Sequence, residues 1–483
     1  MSRTKEARGR RLAARSSRLN VDSEPEGRFY CELWTVSCEL LAASCLRYDN
    51  AMSLFRSKSK KLSAAKKLEG AVQFPGDKSI SHRYAMLAAI ASGESEIHFF
   101  SSSADCQSTL NCLKSLGVKI ERKDNVVKIA GVGLDGLRTP SAPLDAGNSG
   151  STVRMLSGIL AGQPFRSVLV GDASLSRRPM KRVADPLTLM GARIKTADKG
   201  CTPIEIEGGH LTPIRYEMPV ASAQVKSAIL LAGLFAEGET EVVEKLPTRD
   251  HTEIALELMG ADIGRHQRTI AVRGRARLEG KKLYVPGDIS SAAFFIVAGL
   301  IVPNSNLMLH NVGLNPTRTA LLDLLVPMGG RVKVVNLEIL NGELLGDLHV
   351  DSSQLAGGEI PVELVPGLID ELPVLSVMGT QTEKGLTFRG AAELRVKESD
   401  RLAAVAENLR RMGAEVEESP DGLRVAGRQK LRGAEIDPHA DHRIAMAFAI
   451  AALVAEGTTV IKDSSCVDIS FPDFFETLQR VAG

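Results

Sequence analysis

The sequence lacks the features that mark several classes of protein. It contains one tryptophan and 4% aromatic residues among 483, and its 60 Lys and Arg residues against 58 Asp and Glu give a formal net charge of +2. Without a basic excess, the chain has no field suited to neutralising many nucleic-acid phosphates. The longest apolar runs, at residues 229–235, 292–302 and 444–455, are too short to cross a bilayer. We expect a globular protein of two or three domains with neither nucleic-acid nor membrane partners.

Cysteine is sparse, and its spacing matches no metal-ligand pattern. The seven cysteines show no Cys-x-x-Cys pair and no alternation with histidine; they are Cys31, Cys38, Cys45, Cys106, Cys112, Cys201 and Cys466. This spacing argues against a disulfide framework and against a zinc site. It favours a reducing compartment, so we expect a cytoplasmic protein.

The first 62 residues differ from the rest in composition. Residues 1–18 are rich in Arg and Ser, and the only tryptophan, Trp34, follows an acidic patch. Glu32 and Glu39 interrupt what would be the apolar core of a secretory signal, and acidic residues are also unusual in an organellar transit peptide. We expect residues 1–62 to be a disordered leader, or residues 1–51 not to be made because translation begins at Met52; a targeting role is the alternative.

After residue 68 one pattern occurs six times, at intervals of roughly 70 to 85 residues. Its clearest mark is a helix end of the form Leu-x-x-(Leu/Met/Val)-(Gly/Ala), whose terminal glycine is expected to end the helix in the left-handed conformation. Each such helix follows another apolar helix and a strand-like run, so the unit is roughly strand, helix, strand, helix, strand. The six marks lie at residues 113–117, 187–191, 256–260, 325–329, 409–413 and 478–482.

A coarser repeat lies over these six units. The sequence Val-Gln-Phe-Pro-Gly-Asp at residues 72–77 is echoed by Leu-Tyr-Val-Pro-Gly-Asp at residues 283–288, three units later. We predict an α/β (α+β) fold of two similar lobes with three units each. Lobe one comprises residues 63–76 plus 286–483, and lobe two comprises residues 77–285. Two crossovers between lobes predict a hinged cleft, where opposed helix N-termini would attract anions; the alternative is a single long α/β domain or a solenoid.

The first crossover leads into a sequence suited to phosphate. Residues 75–83 read Pro-Gly-Asp-Lys-Ser-Ile-Ser-His-Arg. Ser79 is expected to cap the helix that follows, while free backbone N–H groups, Lys78 and Arg83 would face an anion. Taken alone, both cations could equally be ordinary surface residues.

Similar polar clusters stand near the starts of the other units. Singly, each has a structural explanation as a helix cap or a solvated surface, and Asp370 in particular reads as a cap residue. Jointly, at least eight cations recur at corresponding ends of the units in a chain of almost zero net charge, which predicts an anion-binding cleft. The clusters are Asn148-Ser149-Gly150-Ser151, Ser176-Arg177-Arg178-Pro179, Ala221-Ser222-Ala223-Gln224-Val225-Lys226, Thr248-Arg249-Asp250-His251, Ile369-Asp370-Glu371, Arg395-Val396-Lys397-Glu398-Ser399-Asp400-Arg401 and Asp441-His442-Arg443.

These motifs, in this order from about residue 68 to the end, resemble those of the 5-enolpyruvylshikimate-3-phosphate (EPSP) synthase family, the 3-phosphoshikimate 1-carboxyvinyltransferases. The resemblance implies two lobes of three βαβαββ units. It also implies a transferase of the shikimate pathway, which leads to chorismate and the aromatic amino acids. Such an enzyme moves the enolpyruvyl group of phosphoenolpyruvate to the 5-hydroxyl of shikimate 3-phosphate and releases phosphate, with neither a metal nor an organic cofactor. We expect a monomer.

The resemblance also assigns roles by motif position. Asp370 resembles the family's acceptor of the hydroxyl proton, Glu398 its acid and base at C3, and Lys78 a third catalytic group. Shikimate 3-phosphate would contact Lys78, Ser79, Arg83, Ser222, Gln224, Arg249, Asp370 and Lys397. Phosphoenolpyruvate would contact Lys78, Gly150, Arg178, Gln224, Arg401 and Arg443.

Two departures affect this transfer of roles. Some family members carry a lysine before the Ser/Thr-Phe-Pro turn near the C-terminus, but here Ile469 precedes Ser470. Lys226 and Arg249 resemble the branch that includes glyphosate-tolerant enzymes, yet Gly150 lacks the methyl group of their alanine. We therefore expect the protein to be a glyphosate target, inhibited in competition with phosphoenolpyruvate.

Two other functions fit the same architecture. A UDP-N-acetylglucosamine enolpyruvyl transferase would carry a reactive loop cysteine and an asparagine after the first-motif lysine, where this chain has Ser79. A non-catalytic anion-binding protein of the same fold would have lost Asp370, Glu398 or the arginines, and all of them are present.

Overall fold

The computed structural model describes residues 59–483. Most of the predicted leader, residues 1–58, therefore lies outside the described residues. Its last residues overlap strand β1 (Lys60–Ser63), which pairs antiparallel with Thr458–Ile461 near the other end of the chain.

The described residues form six small mixed sheets, five of four strands and one of three. Each sheet contains one parallel pair, and its other pairs are antiparallel. The same arrangement thus recurs six times along the chain. The predicted α/β class with repeated units is confirmed.

Residues 77–285 contribute three of the four-stranded sheets. Their helices are α1 (Lys78–Ile90), α2 (Ala104–Ser115), α3 (Gly150–Ala161), α4 (Lys181–Leu189), α5 (Ala223–Gly233) and α6 (His251–Leu258). Their strands are β3 (Ser92–His98), β4 (Lys119–Lys123), β5 (Val126–Val132), β6 (Leu144–Asp145), β7 (Arg166–Val170), β8 (Arg193–Thr196), β9 (Ile204–Glu207), β10 (Arg215–Glu217), β11 (Glu239–Val243), β12 (Ile263–His266), β13 (Thr269–Arg273) and β14 (Lys282–Tyr284). The sheet orders are β14-β3-β5-β4, β6-β7-β9-β8 and β10-β11-β13-β12.

The remaining described residues form the other three sheets. Their helices are α7 (Ile289–Ile301), α8 (Ala320–Leu325), α9 (Val365–Leu368), α10 (Leu372–Gly379), α11 (Arg401–Arg411), α12 (His442–Ala452) and α13 (Phe474–Ala482). Besides β1, their strands are β2 (Glu69–Gln73), β15 (Asn306–Gly313), β16 (Arg331–Leu340), β17 (Glu343–Asp351), β18 (Gly358–Glu359), β19 (Leu386–Phe388), β20 (Val416–Ser419), β21 (Gly422–Val425), β22 (Glu435–Ile436) and β23 (Thr458–Ile461). The sheet orders are β16-β17-β15-β2, β18-β19-β21-β20 and β1-β23-β22.

The buried apolar side chains form two separate cores. One core draws only on residues between Ile80 and Val285. The other joins Leu68, Val72 and Phe74 to residues from Ile289 onward. The lobe boundaries at residues 76/77 and 285/286 stay a prediction, which this separation supports. Across residues 59–483, no helix is long and apolar enough to span a membrane.

The two Pro-Gly-Asp crossovers are hydrogen-bonded to each other. The backbone N–H of Asp77 donates to the carbonyl of Pro286 at 2.7 Å, and that of Asp288 donates to the carbonyl of Pro75 at 3.0 Å. A side chain on Gly76 would place its Cβ 1.8 Å from the carbonyl oxygen of Phe99, so only glycine fits there. The chain therefore passes from one apolar core to the other and back again at one place.

The helix ends agree with the sequence more closely than the helix starts do. The glycines that end five of the repeated marks have φ between 82° and 109°, which confirms the left-handed conformation expected for them; they are Gly117, Gly191, Gly260, Gly329 and Gly413. The prediction that Ser79 caps α1 is wrong. The helix begins two residues earlier than a cap at Ser79 implies, and the Asp77 carboxylate accepts from the N–H of Ile80 at 2.8 Å.

Candidate active site

A cavity of about 600 Å³ lies between the two apolar cores. Of the predicted site residues, all of which lie among the described residues, only Arg83 does not line it. The lining set contains Lys78, Ser79, Gly150, Arg178, Ser222, Gln224, Arg249, Asp370, Lys397, Glu398, Arg401 and Arg443. The structure thus brings together motifs that are more than 300 residues apart in the chain.

In the described part of the chain, six helices place their cap residue or their first residue in the wall of this cavity. Each has a side-chain cap on its first turn, provided by Asp77, Ser149, Ser222, Asp288, Asp400 and Asp441. The caps satisfy only some of the free N–H groups of each first turn. The positive ends of the helix dipoles therefore converge on one space, which favours bound anions.

The cavity lining is strongly cationic. Within residues 59–483, ten Lys and Arg side chains line it against five Asp and Glu side chains. An excess of five positive charges thus surrounds the cavity, although the whole chain carries only +2. Small multiply charged anions are the ligands that such a lining favours.

Lys78 faces the cavity from the start of α1. Its Nζ lies 2.9 Å from Oδ2 of Asp105. Burial alone would lower the pKa of Lys78, but the Asp105 and Glu398 carboxylates together outweigh burial and the pKa is raised. Lys78 is therefore a fixed positive charge at neutral pH.

Asp370 lies in the connection between α9 and α10 and is surrounded by guanidinium groups. Its carboxylate lies 2.6 Å from Nη2 of Arg249 and 3.4 Å from Nη1 of Arg401, and its backbone carbonyl accepts from Arg443 at 2.8 Å. Asp370 is not the helix cap that the sequence predicted, because α10 begins two residues later and Glu371 occupies the cap position. Burial would raise the pKa of Asp370, but Arg443, Lys397, Arg249 and Arg401 hold that pKa well below its ordinary value.

Glu398 is held in a similar way. Its carboxylate lies 2.5 Å from Nη2 of Arg401 and 3.3 Å from Nη1 of Arg178, which comes from the other side of the cavity. Burial would raise the pKa of Glu398, but Arg401, Arg178, His442 and Lys78 hold it well below the ordinary value. Arg401 is only 1% exposed and is fixed in turn by Asp441, whose Oδ2 accepts from its Nε at 2.8 Å.

Arg83 lies behind the cavity wall. Its guanidinium donates to the Ser79 carbonyl at 2.8 Å, to Thr252 at 2.6 Å and to Ser227 at 2.9 Å. Burial lowers the pKa of Arg83 to about 10, so the side chain still carries its charge at neutral pH. In this arrangement Arg83 supports the turn that carries Ser79, and its contact with shikimate 3-phosphate stays a prediction.

Three arginines of the lining were not identified from the sequence: Arg154, Arg182 and Arg318. Arg154 donates to Oε1 of Gln224 at 2.7 Å, and burial lowers its pKa to about 9. The only sequence signal for Arg154 is its position one helical turn after Gly150, on the same face of α3.

Lys226, which resembles the glyphosate-tolerant branch, and Ile469, which stands where some family members carry a lysine, do not line the cavity. Lys226 is 1% exposed, and its Nζ lies 2.6 Å from Glu253 and 3.1 Å from Glu244. Its charge is therefore paired with carboxylates inside the protein. Ile469 ends a short 3₁₀ helix, Ser464–Ile469.

Comparisons with known proteins agree on one family. The family model for EPSP synthase (3-phosphoshikimate 1-carboxyvinyltransferase) matches residues 62–478. Proteins named 3-phosphoshikimate 1-carboxyvinyltransferase from Solibacter usitatus and Geobacillus kaustophilus are 55% and 50% identical to this chain. The first match covers 88% of this chain and 99% of the relative, and the second covers 86% and 98%.

Solved structures show the same likeness. The EPSP synthase of Acinetobacter baumannii is 44% identical with a TM-score of 0.78, over 88% of this chain and 98% of that chain. The enolpyruvyl transferase NikO from Streptomyces tendae has a TM-score of 0.70 at 18% identity, over 87% of this chain and 96% of that chain, which shows a shared fold alone.

Proposed function

Because this chain belongs to the EPSP synthase (3-phosphoshikimate 1-carboxyvinyltransferase) family, we propose that it transfers the enolpyruvyl group of phosphoenolpyruvate to the 5-hydroxyl of shikimate 3-phosphate and releases phosphate. The observation that carries the proposal is the cavity's excess of five positive charges, together with the six helices that begin at its wall. Each substrate bears a phosphate and a carboxylate, a charge of about −2.5 to −3 at neutral pH. Bringing the two together costs repulsion that this lining would offset.

The binding roles follow the motif positions. We assign shikimate 3-phosphate to Lys78, Ser79, Arg83, Ser222, Gln224, Arg249, Asp370 and Lys397, and phosphoenolpyruvate to Lys78, Gly150, Arg178, Gln224, Arg401 and Arg443. Planar guanidinium groups suit carboxylate and phosphate, whereas Lys78 is a point charge able to face both ligands.

Three proton transfers accompany the chemistry. The 5-hydroxyl oxygen bonds to C2 of phosphoenolpyruvate while its proton goes to a base and C3 gains a proton from an acid. C3 then loses a proton and the C2–O bond to phosphate breaks, which restores the double bond. We assign Asp370 as the base that takes the hydroxyl proton. Glu398 is assigned as the group that gives the proton to C3 and later removes it.

The arginines around Asp370 make it a weak base in the free protein. When substrate anions draw Arg249, Arg401 and Arg443 away, these cations stabilise the Asp370 carboxylate less. The pKa of Asp370 would then rise toward a useful value. In this proposal, substrate binding activates the base.

We further propose that the protein acts as a monomer in the cytoplasm. A single chain supplies both sides of the cavity. The spacing of its cysteines favours a reducing compartment.

The test is phosphate release after the protein is mixed with both substrates, repeated with each substrate omitted. We expect release only when both are present and loss of release in Lys78→Met. Release with UDP-N-acetylglucosamine in place of shikimate 3-phosphate would favour the sister transferase instead. Substrate binding without any release would favour a non-catalytic anion-binding protein.

A further inference from the structure

Three consecutive residues just before and at the start of α6 each contact the other side of the molecule. Arg249 Nη2 lies 2.6 Å from Oδ2 of Asp370 in the cavity wall. Asp250 and His251 do not line the cavity; Asp250 contacts Asn315, just after β15, and His251 contacts Glu343, the first residue of β17. The segment 249–251 therefore joins the cavity to a second set of contacts.

That second set is closely bonded, and three of its four members are buried, whereas the side chain of Asp250 is 29% exposed. His251 is 2% exposed, Glu343 1% and Asn315 3%. Nδ1 of His251 lies 2.8 Å from Oε1 of Glu343, and Nδ1 is the donor because a carboxylate only accepts. Nδ2 of Asn315 donates to Asp250 at 2.8 Å and to Oε2 of Glu343 at 3.0 Å.

The orientation of Asn315 is itself fixed. Its Oδ1 accepts from the N–H of Thr317 at 2.9 Å and from the Thr317 hydroxyl at 2.7 Å. The amide therefore cannot flip without losing both contacts, and its NH₂ group stays directed at the two carboxylates. The cluster formed by Asp250, His251, Asn315 and Glu343, here called the clasp, has one arrangement.

The clasp sits at the tip of a hairpin. β16 and β17 are joined by the two-residue turn Asn341-Gly342, with φ of 52° and 77°. This is the turn that Asn-Gly favours. Asn341 accepts from the backbone N–H of Tyr284 at 2.8 Å, and a Cβ on Gly342 would lie 2.8 Å from a methyl group of Ile254. The hairpin tip thus packs against β14 and α6, next to the second crossover.

We propose that the clasp is a positioning device for Arg249, acting through the pair His251–Glu343. Holding His251 fixes the start of α6. Because Arg249 is two residues before His251, holding His251 also fixes the backbone of Arg249. The guanidinium of Arg249 lies between Ser79 Oγ at 3.3 Å and Asp370. The inference rests on the proposed function, in which Arg249 contacts shikimate 3-phosphate. Glu343 and His251 do not line the cavity.

The experiment is a double-mutant cycle in steady-state assays of phosphate release. The single variants are His251→Gln, Glu343→Gln and Arg249→Ala, and each clasp variant is also combined with Arg249→Ala. We expect each clasp variant to raise the KM for shikimate 3-phosphate about fivefold or more, with kcat and the KM for phosphoenolpyruvate changed less than about threefold. In the Arg249→Ala background the same changes should have no further effect, because the residue being positioned is gone.

The matched control is His266→Gln, which changes an exposed histidine of β12 and should leave all constants unaltered. Effects that add to those of Arg249→Ala would overturn the inference, as would a loss of kcat at unchanged KM. Glu343→Gln keeps an acceptor for His251 and loses only the acceptor for Asn315. It therefore tests the inference independently if His251→Gln fails to fold. Unfolding of both variants would also overturn it, because a positioning contact is not required for folding. Absence of phosphate release from the unaltered protein would refute the proposed function instead.

Discussion

Replacing Asp370 by asparagine separates its role as a base from its role as an ion-pair partner. Asparagine keeps the size of the side chain and one acceptor oxygen, so the cavity keeps its shape. A positioned base contributes about 10²- to 10⁴-fold in rate, equivalent to about 3 to 5 kcal/mol of activation free energy. We expect kcat for phosphate release to fall by that factor.

Substrate affinity should respond differently. In the free protein Asp370 competes with substrate for Arg249 and Arg401, at 2.6 and 3.4 Å. Neutralising it leaves both guanidinium groups available to substrate anions, so each KM should stay within about tenfold of the parent value. The unliganded variant should be less stable by about 1 to 3 kcal/mol, because a charged acceptor is lost from buried donors. Added shikimate 3-phosphate should restore part of that deficit.

Glu371→Gln is the control. Glu371 is a buried carboxylate next in the chain, with Oε1 2.6 Å from the Ser290 hydroxyl and 3.6 Å from Arg318, and it does not line the cavity. It should lose stability while kcat stays within about tenfold. If Asp370→Asn retained a tenth or more of the parent kcat, Asp370 would not be the base.

Three further predictions follow from the same site. Because nearby cations hold the pKa values of Asp370 and Glu398 below 3.8 and 4.5, the stability they contribute is complete above about pH 4.5 and is lost as pH falls through the lower folded-state values. The melting-temperature deficit of Asp370→Asn should therefore shrink between about pH 6 and about pH 3, and a constant deficit would contradict this assignment. Gly150→Ala would place a methyl group 2.9 Å from Nη1 of Arg154. It should raise the KM for phosphoenolpyruvate about fivefold and weaken competitive inhibition by glyphosate, which we expect to be strong in the parent; equal KM values would refute the crowding. Arg182 pairs with Glu393 across the cavity at 3.6 Å, both about one-third exposed. Arg182→Gln should therefore change each KM less than about fivefold, whereas a larger rise would mean that Arg182 contacts substrate.

The repeated architecture could be predicted from the sequence because its signals are local. A glycine after Leu-x-x-Met ends a helix through its own backbone freedom, as Gly191 and Gly260 do at φ of 109° and 95°. The grouping of the site residues could be predicted for a related reason. Motifs at equivalent ends of repeated units meet when the units pack alike, which brings Arg178 and Glu398 to 3.3 Å.

The predictions that were wrong or missing concern tertiary contacts, or cap positions that differ by one or two residues. Asp77 and Ser79 both suit a helix cap, and only the position at which α1 begins selects Asp77. Asp370 was expected to be a cap, but three arginines from distant parts of the chain define its surroundings. Arg318 has no motif, and it reaches the cavity only because the loop before α8 packs against Ser290.

The paired crossovers have a consequence for the topology of the chain. Because Asp77 is bonded to Pro286 and Asp288 to Pro75, residues 77–285 enter and leave at a single point. In topological terms they are a cassette inserted into the rest of the chain, with ends that already touch. Such a cassette satisfies the geometric condition for circular permutation, so its ends could be rejoined by a linker of a few residues and new termini opened in one of its surface loops.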